Sequence, residues 1–196
     1  MTKYNVSHKI INFSLVSLFT ALMAISAIFL KIPLPSPFPP ISTQFFVCCL
    51  CAIVTGPKLS SLSMFIYLIL GLLGLPVFTM GGGIYYIFSP TFGYILAFIG
   101  CAFITGSFSQ QSQKKYSCPK AIHLFLGCFL SLMFLYLCGT CYLYIIKNIY
   151  MHSNINILFA IKVGILPFIL QDSVWCFIAS VIGPHLYRSI QLIYKN

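Results

Sequence analysis

Glutamate is missing altogether and aspartate occurs once, as Asp172, in a chain of 196 residues that carries eleven lysines and arginines and a net charge of +10. A single carboxyl cannot form the acid and base pair that many hydrolytic mechanisms need. The four histidines (His8, His123, His152 and His185) stand far apart near segment ends, with no H-E-x-x-H and no Cys and His cluster at metal-ligand spacing. No metal or cofactor is expected. Nor is there a G-x-x-x-x-G-K-[ST]; GPKLSS at 56 to 61 lacks the phosphate loop, so any active transport must draw its energy from a partner. Charge of either sign is scarce, at 6% against roughly 25% in a soluble domain. With 60% apolar residues and a mean hydropathy of +1.00, the composition excludes a water-soluble fold and implies an integral membrane protein.

Apolar segments long enough to cross about 30 Å of hydrocarbon as helices recur along the whole length. They predict an all-α membrane protein, one domain over 1–196, with spans near 10–30, 43–56, 59–75, 90–106, 121–146 and 168–187. Six crossings place both termini on one side. If that side is the cytoplasm, Lys3, Lys9, Lys58, Lys114, Lys115, Lys120, Arg188 and Lys195 lie inside and Lys31, Lys147 and Lys162 outside, as the positive-inside rule favours. The basic residues are therefore read as topology signals in a cytoplasmic membrane. No basic patch interleaved with aromatics suggests nucleic acid; the lipid bilayer is the expected surrounding. The first span is expected to be retained, since its apolar core exceeds a signal-peptide h-region and Lys31 with a proline run follows it.

The connections are informative. KIPLPSPFPP (31–40) holds five prolines and predicts an extended, partly polyproline outer loop. GPK (56–58) reads as a tight inner turn, and SFSQQSQKKYSCPK (107–120) as a solvated inner connector. GLPVFTMGGGIYYIFSPTFGY (74–94) is too apolar for a surface loop. Irregular backbone at membrane depth is tolerated where it is buried or lines a cavity, so this segment is expected to fold back over a site, with Gly81, Gly82 and Gly83 letting the backbone approach a bound molecule. A re-entrant turn without a ligand is the plainer reading. Pro167 interrupts a helical pattern that begins near Asn156, and broken helices present free backbone groups to a substrate. The glycine loop and the Pro167 break can be two walls of one outer pocket.

Asp172 lies in GILPFILQDSVW (164–175), an apolar run where a carboxyl is costly and normally faces a cavity or a partner. The structural alternative is an N-terminal cap for the sixth helix. Gln171 precedes it and Trp175 lies one turn on, so an acceptor and an aromatic wall suit a ligand with polar N–H groups and an apolar body. Trp175 as an interfacial anchor is the competing role. Gln44, opening the second span in STQFF, can add a donor and an acceptor. On the first span Ser17, Thr20, Ala21, Ala24 and Ala27 form small-xxx-small pairs that permit close helix approach, within the bundle or to another subunit.

Nine cysteines are scattered along the chain, nearly all inside the predicted spans, where Cys behaves as a small apolar side chain. Cys138 and Cys141 form C-G-T-C near the outer end of the fifth span, and a membrane thiol-disulfide oxidoreductase is the alternative function they suggest. That chemistry needs a second thiol relay reachable from outside, and the outer loops contain no Cys.

Taken in order, GPK, YLILGLLGLPVF, the glycine run, PTFGY and GILPFILQD resemble the BioY family, the biotin-binding membrane subunit (S component) of energy-coupling-factor transporters. The resemblance runs from about Ala21 to Pro184. It implies a six-helix, non-enzymatic subunit for biotin uptake, with a pocket near the outer surface under the loop between spans three and four. By position, Asp172 would hold the ureido N–H groups of biotin. Gln44 and Gly81 to Gly83 would line the pocket, Tyr94 falls in the family's P-T-G-G-Y element, and Phe78, Tyr85 and Trp175 complete the implied set. The small-residue face of the first helix (Ser17, Thr20, Ala21, Ala24) would dock an energy-coupling transmembrane subunit, itself joined to ATPase subunits. Three positions depart from the pattern: Trp175 stands where D-x-x-K has lysine, Phe92 and Gln171 where glycine is usual. Lys31, Lys147 or Lys162 is left to attract the ligand's carboxylate. A Cys138→Ser/Cys141→Ser double variant separates the two functions: uptake of labelled biotin is expected to survive it, whereas thiol oxidation would vanish.

Overall fold

The computed structural model describes residues 2–35, 38–116 and 118–195, with side chains over 9–35, 38–116 and 118–192. Ser36, Pro37 and Ser117 of the two connectors discussed above, and the side chains of Lys3, His8 and Lys195, lie outside the described residues. Six α-helices are described: α1 Thr2–Ile28, α2 Gln44–Leu72, α3 Phe92–Tyr116, α4 Ala121–Ile145, α5 Ile157–Gly164 and α6 Ile169–Lys195. Five of them, all but α5, are long and apolar enough to cross a membrane.

One of the five, α2, is a hairpin rather than a rod. Gly56 has φ 75° and ψ 179°, with Pro57 following, and Gln44 Nε2 donates to the Tyr67 hydroxyl at 2.8 Å. A straight helix would separate those residues by about 35 Å. The chain therefore folds back at the Gly56–Pro57 turn into two antiparallel arms, 44–55 and 57–72. Glycine stands at the turn because a side chain is disfavoured at that φ, and proline opens the second arm where a backbone N–H has no helical partner.

Glycine opposite an aromatic ring sets the register of α3 against α4. A methyl group added to Gly93 would lie 2.2 Å from Tyr142, to Gly139 2.3 Å from Tyr94, to Gly100 2.3 Å from Phe134 and to Gly127 2.7 Å from Phe108. Pairing 93 with 142, 100 with 134 and 127 with 108 makes the helices antiparallel. A slip of one residue would drive rings into backbone. Elsewhere the helices are joined by small polar side chains, as bundles in hydrocarbon commonly are: Thr20 to Ser63 at 3.0 Å, Ser60 to the Ala102 carbonyl at 3.2 Å, Thr105 to Ser131 at 2.8 Å and Ser109 to the Ile53 carbonyl at 2.9 Å.

Two connectors differ from expectation. The segment from Ser107, read as a solvated loop, is helical as far as Tyr116. Its polarity is one-sided: Ser109 and Ser112 are buried, Ser109 on the α2 carbonyl and Ser112 on the Lys120 N–H, while Lys114 and Lys115 point outward. The proline-rich segment is not simply extended either. It doubles back as a short antiparallel ribbon, β1 Lys31–Ile32 against β2 Ile41–Ser42, because the residues flanking the prolines keep their backbone donors and pair. The break before α6 is present: α5 is capped by Asn156, whose Oδ1 accepts the Leu158 N–H at 3.4 Å, and α6 restarts at Ile169 after Pro167.

Gly106 seats the α2 turn on α3, since a methyl group there would lie 2.6 Å from Pro57 Cα and N. Backbone cannot swing aside. Gly106→Ala is expected to destabilise the fold by about 1–3 kcal/mol, read as a lower midpoint of thermal unfolding in detergent; an unchanged midpoint would mean that the turn does not rest on α3.

Candidate ligand-binding site

At the end of the bundle that carries the ribbon, a cavity of about 80 Å³ lies among α2, α3, α4 and α6. Phe45, Ile95, Phe98, Leu135 and Phe168 give it apolar walls, and Ser42, Gln44, Thr91, Tyr94, Tyr136 and Asp172 bring polar atoms to it. Pro39 and Pro40 of the ribbon and Thr79 of the loop after α2 form its roof. Ordinary ligand pockets hold about 300–1,000 Å³. The cavity thus matches a small ring, and a longer molecule needs more room than these walls leave. A larger groove of about 440 Å³ between α4, α5 and α6 presents an almost wholly apolar surface, with Leu137, Ile157, Ile161, Ile165 and Ile169 among its walls. It has no convergent polar set and reads as a lipid-facing surface.

Asp172 is 7% exposed. It belongs to the first turn of α6, with its own N–H on the Phe168 carbonyl at 2.8 Å. One carboxyl oxygen, Oδ2, accepts the Tyr136 hydroxyl of α4 at 2.9 Å, and that is its hydrogen-bonding partner among the described residues. The side chain does not cap its helix. It turns inward, leaving Oδ1 as an acceptor on the cavity wall. Tyr136 gave no signal in the sequence beyond being one of many aromatics; the i to i+36 pairing exists only once α4 and α6 are packed.

Tyr94 and Gln44 reach the same cavity from α3 and α2. The Tyr94 hydroxyl donates to the Gly164 carbonyl at 2.9 Å, tying α3 to the end of α5 beside the Pro167 break. Gln44 is 4% exposed; its Oε1 accepts from Ser42 at 3.1 Å and its Nε2 donates to Tyr67. Phe168 beyond the break and Thr79 of the glycine loop meet across the cavity, so both interruptions contribute a wall.

The remaining residues of the implied set sit elsewhere. Gly81 and Gly83 have φ of 119° and 101°, and a methyl group on Gly82 would lie 2.0 Å from the Leu75 carbonyl oxygen. The three glycines let the loop close on itself and on α2, through Phe78 and Gly81 exchanging backbone bonds and the Gly83 N–H reaching the Gly71 carbonyl at 2.7 Å. Phe78 is buried over Gly71 between Tyr67 and Tyr86, with ring centroids at 5.5 and 4.7 Å. Tyr85 is 84% exposed. Trp175 packs on Phe46 of α2 with centroids 4.8 Å apart, and its Nε1 has no hydrogen-bond partner among the described residues.

Lys31 lies at the roof, its ammonium donating to the Thr79 carbonyl. On α1, Ser17, Thr20, Ala21 and Ala24 line a groove of about 240 Å³ with Ile66, Tyr67, Leu70 and Val77. Cys138 is half-buried, and Cys141 is exposed on the apolar groove rather than on an aqueous loop; both are free thiols.

The sequence profile of the BioY family matches residues 1–192. The chain is similar to a probable biotin transporter BioY of Pyrococcus horikoshii, 36% identical over 174 residues (88% of this chain and 94% of that one). It is also similar to the biotin transporter BioY of Thermotoga maritima, 34% identical over 173 residues (87% and 92%). In fold it matches the crystal structure of the S-component for biotin from an ECF-type ABC transporter, with a TM-score of 0.79 and 25% identity over 92% of this chain and 93% of that one. None of these names points to thiol oxidation. A matching profile over nearly the whole length, joined to relatives above 30% identity and a shared helical bundle, places this chain in the BioY family.

Proposed function

We propose that this chain is the biotin-capturing subunit of an energy-coupled uptake system in the cytoplasmic membrane. The reading counts the two arms of α2 separately, giving six crossings in one domain and both termini on the cytoplasmic side. The observation that carries it is the half-paired carboxyl of Asp172 on the wall of an otherwise largely apolar cavity. A ureido ring offers two N–H donors on a compact body, and Oδ1 of Asp172 is an acceptor for one of them. Phe98, Phe168 and Leu135 pack against its faces. Gln44 completes the polar side from α2.

The acyl tail would leave under the ribbon, where Lys31 at the roof is the cation placed to meet its carboxylate; this assigns at the roof the charge that position 175 does not supply. Capture then runs from the outer side: the ribbon and the loop after α2 lift, the ring seats on Asp172, and the roof closes. Release inward needs work from outside the chain. The groove beside Ser17, Thr20, Ala21 and Ala24 is the surface proposed for the energy-coupling transmembrane subunit, whose ATPase partners would supply that work.

Equilibrium binding of labelled biotin to the purified protein, with thiamine and riboflavin as competitors, tests the reading. Biotin alone is expected to bind and to displace the label. Asp172→Asn is expected to weaken binding at least tenfold, about 1.4 kcal/mol; affinity equal to wild type would remove Asp172 from the site. Tyr136→Phe leaves a buried acceptor unsatisfied, a cost of about 1–3 kcal/mol, and is expected to lower the thermal midpoint of the ligand-free protein.

A further inference from the structure

A line of hydrogen bonds runs from residues at the ligand cavity to two residues, Tyr67 and Val77, that line the groove beside α1. Gln171 Nε2 donates to the Ser42 carbonyl at 3.2 Å, and Ser42 Oγ to Gln44 Oε1 at 3.1 Å. Gln44 Nε2 donates to the Tyr67 hydroxyl at 2.8 Å, and that hydroxyl to the Val77 carbonyl at 2.9 Å. Each hydroxyl hydrogen is used once, and the direction is consistent from end to end. Ser42 and Gln44 line the ligand cavity, whereas Tyr67 and Val77 line the groove against Ser17, Thr20, Ala21 and Ala24.

Tyr67 joins the two settings, since it lines the groove while its hydroxyl accepts from the Gln44 amide that lines the cavity. It is 1% exposed, and Gln44 4%. Water cannot readily replace a lost partner there, so the amide and hydroxyl orientations are set by one another. If Tyr67 shifts, the Gln44 amide loses its anchor and Ser42 loses the acceptor that holds β2 down. Gln171, the neighbour of Asp172 on α6, grips the same ribbon residue from the other side.

We propose that Tyr67 is a positioning residue that links the occupancy of the α1 groove to closure of the β1–β2 ribbon over the cavity, through Gln44, Ser42 and Gln171. The inference rests on the proposed function for the identity of the ligand and of the groove's occupant, but the linkage itself belongs to the ligand-free chain. A helix seated on α1 would press the Tyr67 wall, slacken the line and free the ribbon. Ligand would then be released only when the partner is engaged.

Hydrogen–deuterium exchange of the ligand-free protein over residues 31–47 reads ribbon closure without any ligand. Tyr67→Phe keeps the ring and its packing on Phe78 but removes the hydroxyl; Gln171→Ala cuts the other end. Each is expected to speed ribbon exchange at least about threefold, with α3 and α4 unchanged as the mark of an intact fold. Because both cut one line, the double variant should exchange no faster than the faster single. Ala24→Phe, which fills the groove beside Tyr67, is expected to speed ribbon exchange in the wild-type background and to add nothing to Tyr67→Phe. Unchanged ribbon exchange in Tyr67→Phe, additive effects, a rise spread over α3 and α4, or no effect of Ala24→Phe overturns the linkage. Biotin dissociation from the same proteins separates the two readings: a wild-type protein that shows the exchange pattern but binds no biotin refutes the ligand and leaves the linkage standing.

Discussion

The bond from the Tyr136 hydroxyl to Oδ2 of Asp172 is made between α4 and α6 where little water reaches, and it satisfies half of a carboxyl that the chain has no second acid to imitate. A carboxyl fully paired by its own helix would be a cap, and a carboxyl with no partner would be too costly to bury. One bond leaves it in between. Held in orientation by one bond, it keeps lone pairs that no other described side chain takes, and Phe45, Phe98, Leu135 and Phe168 stand among the walls around it.

Keeping Tyr136 in place is a matter of helix register. The glycines of α3 and α4 lock rings between the helices at four levels, and among those rings is Tyr94, which packs over Gly139, one turn along α4 from Tyr136. The same Tyr94 reaches the Gly164 carbonyl and so anchors the end of α5 before Pro167 turns the chain into α6. Close packing of glycine on aromatic thus extends into the polar geometry of the site. In hydrocarbon, where apolar burial gives helices no particular reason to meet, such shape matching and the Ser and Thr cross-links do the aligning.

Much of this was legible in the residue string, for identifiable reasons. Helices, the turn at Gly56 and Pro57 and the break at Pro167 follow from backbone chemistry that does not depend on neighbours. Asp172 and Gln44 stood out because an isolated polar residue in an apolar run has few purposes. What could not be read was anything decided by packing between distant segments. Tyr136 is one aromatic among many until α6 lies beside α4. The ten residues from Ser107 looked like a loop because their composition is polar, yet Ser109 and Ser112 face inward and extend α3. The glycine run announced a close approach, and the structure shows it within the loop and against the end of α2, where Gly82 meets the Leu75 and Gly71 carbonyls. A string reports that space is needed; it does not report which neighbour occupies it.

Trp175 brings these strands together. The resemblance expected lysine one turn after the acid, where a cation beside Asp172 would serve both the carboxyl and a ligand. Here the carboxyl is steadied by a neutral hydroxyl from α4 instead, which relieves position 175 of polar duty. An indole at that position can therefore turn toward α2 and stack on Phe46, strengthening the contact between two helices that run in parallel past the cavity. Positive charge has not been lost from the neighbourhood: Lys31 sits on the ribbon, bonded to the Thr79 carbonyl of the loop it meets. An ammonium on a two-stranded ribbon outside the helices differs physically from one fixed inside a helix. On the proposed reading it would meet an anion at the cavity mouth, and its desolvation would accompany closure instead of burdening the empty site.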